Sequence, residues 1–581
     1  MIPFQSQSFT GGMDLFSNRS SLAKDNPDKY PLLVNGRSRA SRITTIAKCI
    51  KLTEGLPDAS QYSYQGLYSA GPYAVVFAGG RAFSRNYSDE SLTSFLNIPG
   101  FTMSGAAPQI YMELVPASTI NYVRVIDDAD DVGGTTTFLG DLIAPSPVAA
   151  VIQDGVSQPW VILSNGQARI TQNYQQWQNS ANGREYVPIG KQMTFSNGKL
   201  YIASTDGYQI YQSCSGRPLD FMIVVDVNGD KLSTELEGGA GNVSHKVFAD
   251  AITCLGRIPT TQDNEGAFYC GSSKQSAIVV PDFSRLIYGE PRFKNRYIAS
   301  TGAKNHFSFL GDVNGDSTFI DDYGVRSFNA IMTTRNAGKN SPFSLLISPL
   351  FSDKISQEVT ACGQFNNYSC YAVKTVYGNT VIWFDELRGV WDSIDLYSNV
   401  TGQIRQFAEI ITPAGTRKLL CLTSDGGVYE MLSQTSTEVE TVSFYYGDCS
   451  TGDVKVNIDA QFLKAVFENS ESDGTVNASI FVDTKKQNSV PFSKTVKKNF
   501  TPSASQSLPF GDNSTNNADN VLFQFTDANS GWATGVMLSW NFKTEMTKVG
   551  MTCSEVSGPT DNKRMGADYK ANKIALGLIP A

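Results

Sequence analysis

Two short segments, Asp226-Val-Asn-Gly-Asp230 and Asp312-Val-Asn-Gly-Asp316, the second followed by Asp321-Asp322, place oxygen side chains at alternate positions. That spacing suits a hard cation such as Ca²⁺, because a tight loop brings such oxygens to one point. The match to an EF-hand is partial: Lys231 and Ser317 stand where its glycine belongs, and no flanking helices are evident. Between strands, Val-Asn-Gly-Asp is first of all a hairpin turn, and a structural turn is the expectation for both segments. The acidic run Asp127-Asp128-Ala-Asp130-Asp131 reads as a solvated loop, although carboxylates so close could also line a channel that repels phosphate. Histidine chemistry is confined to His245 and His306, neither in a nucleophile motif, so both read as structural or surface residues. No Gly-x-Ser-x-Gly, phosphate-cradling glycine loop or His-Glu-x-x-His occurs. Paired carboxylates for sugar hydrolysis need only spatial proximity, and the sequence singles out no such pair. The expectation is a non-enzyme with no catalytic, cofactor or metal residue assigned.

Composition narrows the class further. The 581 residues carry 47 basic and 55 acidic side chains, a net charge of −8, so no electrostatic footprint for gripping nucleic acid is visible. The clearest basic stretches, Arg37-Ser-Arg-Ala-Ser-Arg42 and Lys494-Thr-Val-Lys-Lys498, are short and are expected on a solvated surface. Nine cysteines without Cys-x-x-Cys or zinc-like spacing are expected as free thiols of a reducing compartment. The first residues lack a signal-peptide pattern and no long apolar run occurs, so neither Sec export nor a membrane anchor is expected.

The elements that would position any site are strands. Hydrophobic residues make up 41% and charged residues 18%, with 50 Gly and 24 Pro, which favours turn-rich β structure over helix bundles. From about residue 70 to 430 a module recurs in which a short apolar run precedes a glycine turn: Tyr73–Phe77 before Gly79-Gly80, Trp160–Leu163 before Asn165-Gly166, Leu200–Ala203 before Asp206-Gly207, Tyr371–Val376 before Gly378-Asn379, and Leu419–Leu422 before Asp425-Gly426. Each predicts a β-hairpin. Ala267–Cys270, Ser276–Val280, His306–Leu310 and Ile382–Phe384 read as further strands. Many hairpins in series without helical blocks predict a β-propeller, with roughly six to eight blades and long inserted loops at 127–150 and 229–245.

Beyond residue 440 the alternation sharpens in Val442–Tyr446, Val454–Ile458, Ala478–Val482, Val521–Phe525 and Val536–Trp540, which predicts an antiparallel β-sandwich with a long polar loop at 502–520. The chain therefore divides into an extended N-terminal docking arm (1–55), a β-propeller body (56–440), a β-sandwich (441–555) and a flexible tail (556–581). The arm has too few periodic apolar residues to fold alone and is expected to dock on another surface.

Three stretches carry a resemblance: the opening Phe9-Thr-Gly-Gly-Met-Asp14 with Tyr30-Pro-Leu-Leu-Val-Asn-Gly36; Leu200–Tyr211 with Ser213-Cys-Ser-Gly-Arg-Pro-Leu-Asp-Phe221; and Asp321-Asp-Tyr-Gly-Val-Arg-Ser-Phe328. In these and in its layout the chain resembles the nozzle, or tail tubular protein B, family of short-tailed bacteriophages, although it is shorter than the larger members. The resemblance implies a structural virion protein, assembled in the host cytoplasm, of which six copies form a ring below the portal and adaptor. Such a ring extends the DNA channel, closes it after packaging, and anchors tail fibres or spikes, while genomic DNA passes without specific binding. The arm would then order on a neighbouring subunit. The alternative is a propeller that binds or cleaves carbohydrate for receptor recognition, which predicts carboxylates with adjacent aromatics in a propeller mouth.

Overall fold

A hairpin with apolar side chains on both faces must be covered twice, and hairpins stacked face to face in a ring cover one another. The computed structural model of the chain describes residues 2–6, 9–15, 28–39, 41–99, 101, 104–106, 108–115, 123–124, 137–138, 148–153, 160–162, 168–170, 190–213, 241–243, 247–259, 267–287, 290–313, 315–334, 342–351, 360–433, 435–449, 456–482, 485–487, 491–498, 518–525, 530–531 and 533–557. The protein is all-β: a propeller body, an extended N-terminal segment and a C-terminal antiparallel β-sandwich. Among the described residues the propeller has seven blades. Their innermost strands, Tyr64–Ala70, Ile110–Val115, Met193–Ser196, Ile252–Arg257, Phe309–Val313, Ala361–Phe365 and Ile404–Ile411, each adjoin the next, and the seventh adjoins the first.

All five glycine-turn modules are antiparallel hairpins, but their turns differ. Gly79-Gly80 is a two-residue turn with both φ values positive, 58° and 75°. Ile162 pairs with Ala168 and Ala203 with Ile210, so those connections are longer than two residues. At the sixth blade Thr375 pairs with Gly378, which places the turn at Val376-Tyr377 rather than at Gly378-Asn379. His306–Ser308, expected as strand, is a 3₁₀ turn. Asn305 Oδ1 accepts the Phe307 and Ser308 N–H groups, and Ser308 Oγ bonds the Asn305 backbone in return, a capping box that outcompetes extension.

The sandwich closes on itself as its alternation requires. Val456–Glu468 lies between Glu545–Ser557 and Ala518–Gln524 in one sheet, and Val442–Cys449, Thr534–Trp540 and Gly474–Val482 are consecutive in the other. Ile458, Leu463 and Phe467 face Val536, Leu538 and Trp540 in a shared core, with the Phe467 and Trp540 rings edge-on at 5.4 Å. Of the polar loop expected at 502–520, residues 518–520 are instead strand paired with 466–468, and of the tail expected at 556–581, Val556 and Ser557 are the end of the last strand, paired with Asn457 and Val456; residues 502–517 and 558–581 lie outside the described residues.

The described residues among 1–55 pack on surfaces of their own chain. Ile50–Lys51 is the outer strand of the seventh blade, paired with Val428–Met431, so the strand just ahead of the first blade closes the ring. Leu32–Val34 pairs in parallel with Val390–Asp395, the outer strand of the sixth blade, and antiparallel with Val442–Cys449 of the sandwich. One ten-stranded sheet thereby runs from the propeller's inner wall into the sandwich. Gly36–Arg39 and Arg42–Thr45 then cross to the facing sandwich sheet, where Arg42–Thr45 pairs with Glu545–Ser557. Gly12, at φ +74°, lies against the sixth blade so closely that a Cβ would meet Val390 Cβ at 2.6 Å, which explains the glycine in the opening motif.

The arginine stretch expected at the surface is split by burial. Arg37 is only 4% exposed. Its guanidinium binds Asp395 through both oxygens at 2.8 and 2.6 Å, donates to Ser393 Oγ at 2.8 Å, and lies 4.1 Å from the Trp383 ring centre. Burial alone would lower its pKa, but Asp395 more than offsets this and holds it above the ordinary value. Beside it, Asp392 accepts the Tyr30 hydroxyl, the Ser38 N–H and Arg388 Nη2, the last at 2.8 Å. Burial still raises the Asp392 carboxyl, with Arg37 and Arg388 pulling it back. Removing one partner strands a buried charge. Arg37→Ala is therefore expected to cost about 3–5 kcal/mol, read as a lower denaturant midpoint. Lys497→Ala, at the exposed pair with Asp473, is expected to leave the midpoint in place, and equal effects of the two would contradict the difference in burial.

Candidate functional site

The inner strands surround a central channel of about 560 Å³. In a propeller these strands present main-chain edges to the channel and side chains to neighbouring blades, so what reaches the channel is the tips of long or aromatic residues. Gly363 shows how the wall is packed: a Cβ there would meet Phe407 Cβ of the seventh blade at 2.7 Å, so the glycine lets that ring lie against the sixth blade's backbone. Tyr111 and Phe307 stack at 6.1 Å with their planes 11° apart, and Tyr269 and Phe309 stack at 4.5 Å.

Polar side chains reach this wall on several blades. On the second blade Glu113 Oε1 accepts the Phe195 N–H of the third blade at 3.1 Å. Arg257 of the fourth blade donates through Nε to Phe195 O at 2.6 Å, with its Nη2 at 3.7 Å from Glu113. Three adjacent blades are thus pinned by one carboxylate and one guanidinium. Burial pushes the Glu113 carboxyl up to about 7, with Arg257 and the Phe195 N–H acting against it. Gln406 Oε1 caps the Leu67 N–H at 3.0 Å, while the Gln364 side chain makes no hydrogen bond among the described residues. Glu409 pairs with Arg417 at 2.9 Å and accepts the Asn366 N–H at 3.2 Å, both contacts exposed to solvent. His306 packs edge-on to Tyr111 at 5.6 Å, burial lowers its pKa to about 4, and its Nδ1 has no partner among the described residues.

Of the residues singled out by sequence, His306 lines this channel and His245 lies outside the described residues, as do Asp127–Asp131 and Asp226–Asp230. In the second Val-Asn-Gly-Asp segment Val313 pairs with Asp316 across a hairpin turn with Gly315 at φ +80°. Asp316 Oδ1 accepts the Ser317 and Asn329 N–H groups, and Asp321 binds Arg326 Nε at 2.6 Å, so both carboxylates serve the local turn. Among the described residues no group of three His, Cys, Asp or Glu is arranged to hold a metal ion. A second cleft, of about 530 Å³, is lined by Arg39, Arg388 and Arg417, but Arg388 is committed to Asp385 and Asp392 and Arg417 to Glu409. Cysteines 49, 254, 270, 362, 370, 421 and 553 are buried and unpaired.

Sequence reasoning missed Glu113, Arg257 and Gln364. The available signal was a charge inside an apolar strand, as in Ile110-Tyr-Met-Glu-Leu-Val115 and Ile252-Thr-Cys-Leu-Gly-Arg257.

No family model matches the sequence, and no curated protein matches it. Among solved structures, the N-terminal domain of Nup159 aligns with 69% of this chain and 98% of its own length at 9% identity and a TM-score of 0.31. BBS1N, in a complex with ARL6DN, aligns with 68% of this chain and 89% of its own length at 12% identity and a TM-score of 0.27. These low scores say nothing of function. No helix among the described residues is long and apolar enough to cross a membrane.

Two titratable groups of the channel, Glu113 and His306, act on stability in opposite senses. Glu113 has its folded pKa raised from 4.5 to about 7, so its neutral form's contribution is full below pH 4.5 and lost as pH rises to 7. His306, lowered from 6.5 to about 4, contributes fully above pH 6.5 and loses that contribution as pH falls to 4. The melting temperature of Glu113→Gln relative to the wild type should therefore rise between pH 4.5 and 7 and then level off. That of His306→Gln should rise as pH falls from 6.5 to 4. Flat differences for both variants would show that neither group is buried.

Proposed function

We propose that the chain is a structural, non-enzymatic subunit of the tail nozzle of a short-tailed bacteriophage. It assembles in the host cytoplasm as a ring of six around the DNA path, docks on the portal and adaptor, and carries fibres or spikes on its outer side. The observation that carries this reading is the ten-stranded sheet shared by propeller and sandwich. Domains in one chain ordinarily meet through modest interfaces that allow relative motion, whereas here main-chain hydrogen bonds cross the junction. A wall under pressure needs a subunit that does not hinge.

Two further points support it. The residues that carry the family resemblance in the opening segment are the residues of the junction. Phe9 packs edge-on against Phe444 at 5.5 Å, Gly12 approaches Val390, and Leu32–Val34 is the shared strand. The net charge of −8 suits a conduit that passes DNA without holding it, because each neutralised phosphate would add salt-dependent affinity. With residues 29–51 committed to their own chain, ring contacts fall to other surfaces of the subunit.

Native mass spectrometry and negative-stain class averages, alone and with the adaptor protein of the same phage, test the reading. A ring with a central hole, formed alone or on the adaptor, is expected. A monomer that persists at high concentration and ignores the adaptor would overturn it.

A further inference from the structure

We propose that the propeller channel is a binding site for a neutral, hydroxyl-rich ligand of the size of one or two sugar units. The volume, about 560 Å³, lies within the range of small-molecule sites. The wall combines the two features that a pyranose ring uses, an aromatic face for its C–H side and fixed polar groups for its hydroxyls. Phe307 and Phe407 supply rings; Arg257, Gln364 and Glu113 supply donors and acceptors on three different blades.

Charge decides the ligand class. Arg257 lies 3.7 Å from Glu113 and Arg417 2.9 Å from Glu409, so each charge has an opposite charge beside it and the channel favours neither a polyanion nor a cation. Gln364 is the most telling residue, because its amide offers both a donor and an acceptor and is uncommitted among the described residues. With Glu409 held by Arg417, the channel does not present the two free carboxylates of a glycosidase, and the role is binding rather than cleavage.

The test is saturation-transfer NMR on the full chain, in whatever oligomeric state it adopts, so the result does not depend on ring formation. The probes are glucose, galactose, N-acetylglucosamine and maltose at millimolar concentration, with glycerol and galacturonate as controls. Transfer to the ring C–H protons of at least one neutral sugar is expected, with affinity falling about tenfold in Gln364→Ala, the loss of one or two hydrogen bonds. Gln364→Trp, which also narrows the channel at the sixth blade, should weaken it further. Silence from every sugar, equal transfer to the controls, or binding unchanged in Gln364→Ala would overturn the proposal. The Ala variant decides alone if the Trp variant does not fold.

Discussion

The buried pairing of Arg37 with Asp395 is the constraint on which the two bodies of this protein depend. An arginine enters a protein interior only with a counter-charge and satisfied donors, and here Asp395, Ser393 and the Trp383 face provide them. Asp395 is in turn bound by the Tyr397 hydroxyl at 2.7 Å, while its neighbour Asp392 gathers Tyr30, Ser38 and Arg388. Those contacts fix the backbone at residues 30–38. Once it is fixed, Asn35 can donate to Thr441 O and accept the Leu396 N–H, which seats Leu32–Val34 between blade and sandwich. Specific, fully satisfied charge in this place sets register where a purely apolar strand could slip by two residues.

A consequence follows for how the chain reaches its fold. The ring closes through Ile50–Lys51 on Val428–Met431, and the junction forms through Leu32–Val34 on residues near 394 and 444. Both pairings join the first tenth of the chain to its later parts, so loop-closure entropy is lost before either contact is gained. The propeller and the sandwich are in this sense one folding problem, and one cluster of buried side chains runs from the sandwich through Leu32–Val34 into the fifth and sixth blades. The channel stands apart from the junction. Its groups are held by contacts between neighbouring blades, as with Glu113, Phe195 and Arg257, and its chemistry can change without disturbing the strand that joins the bodies.

The fold class was legible because its signals are local. A glycine pair such as Gly79-Gly80 between apolar runs needs positive φ in any context, and the alternation in Ala478–Val482 marks a half-buried strand wherever it pairs. Blade number was hidden because the fifth blade has three described strands and the seventh borrows its fourth from residues 50–51, while connections range from two residues upward. The burial of Arg37 was illegible because its partner lies 358 positions away, and a run of three arginines near polar residues otherwise reads as surface. The channel residues form no motif. They come together only when seven inner strands converge, which no spacing in the chain encodes.

Hydrogen exchange of the full chain, read by mass spectrometry at residues 28–39 and 46–52 across a range of protein concentrations, tests most directly whether the N-terminal segment joins propeller to sandwich within one subunit. Amides of Leu32–Val34 and of the Ile50–Lys51 strand should exchange as slowly as those of the blades they extend, and equally slowly at the lowest concentration. Fast exchange there beside protected blades, or protection that vanishes on dilution, would show that the segment is not anchored in its own chain.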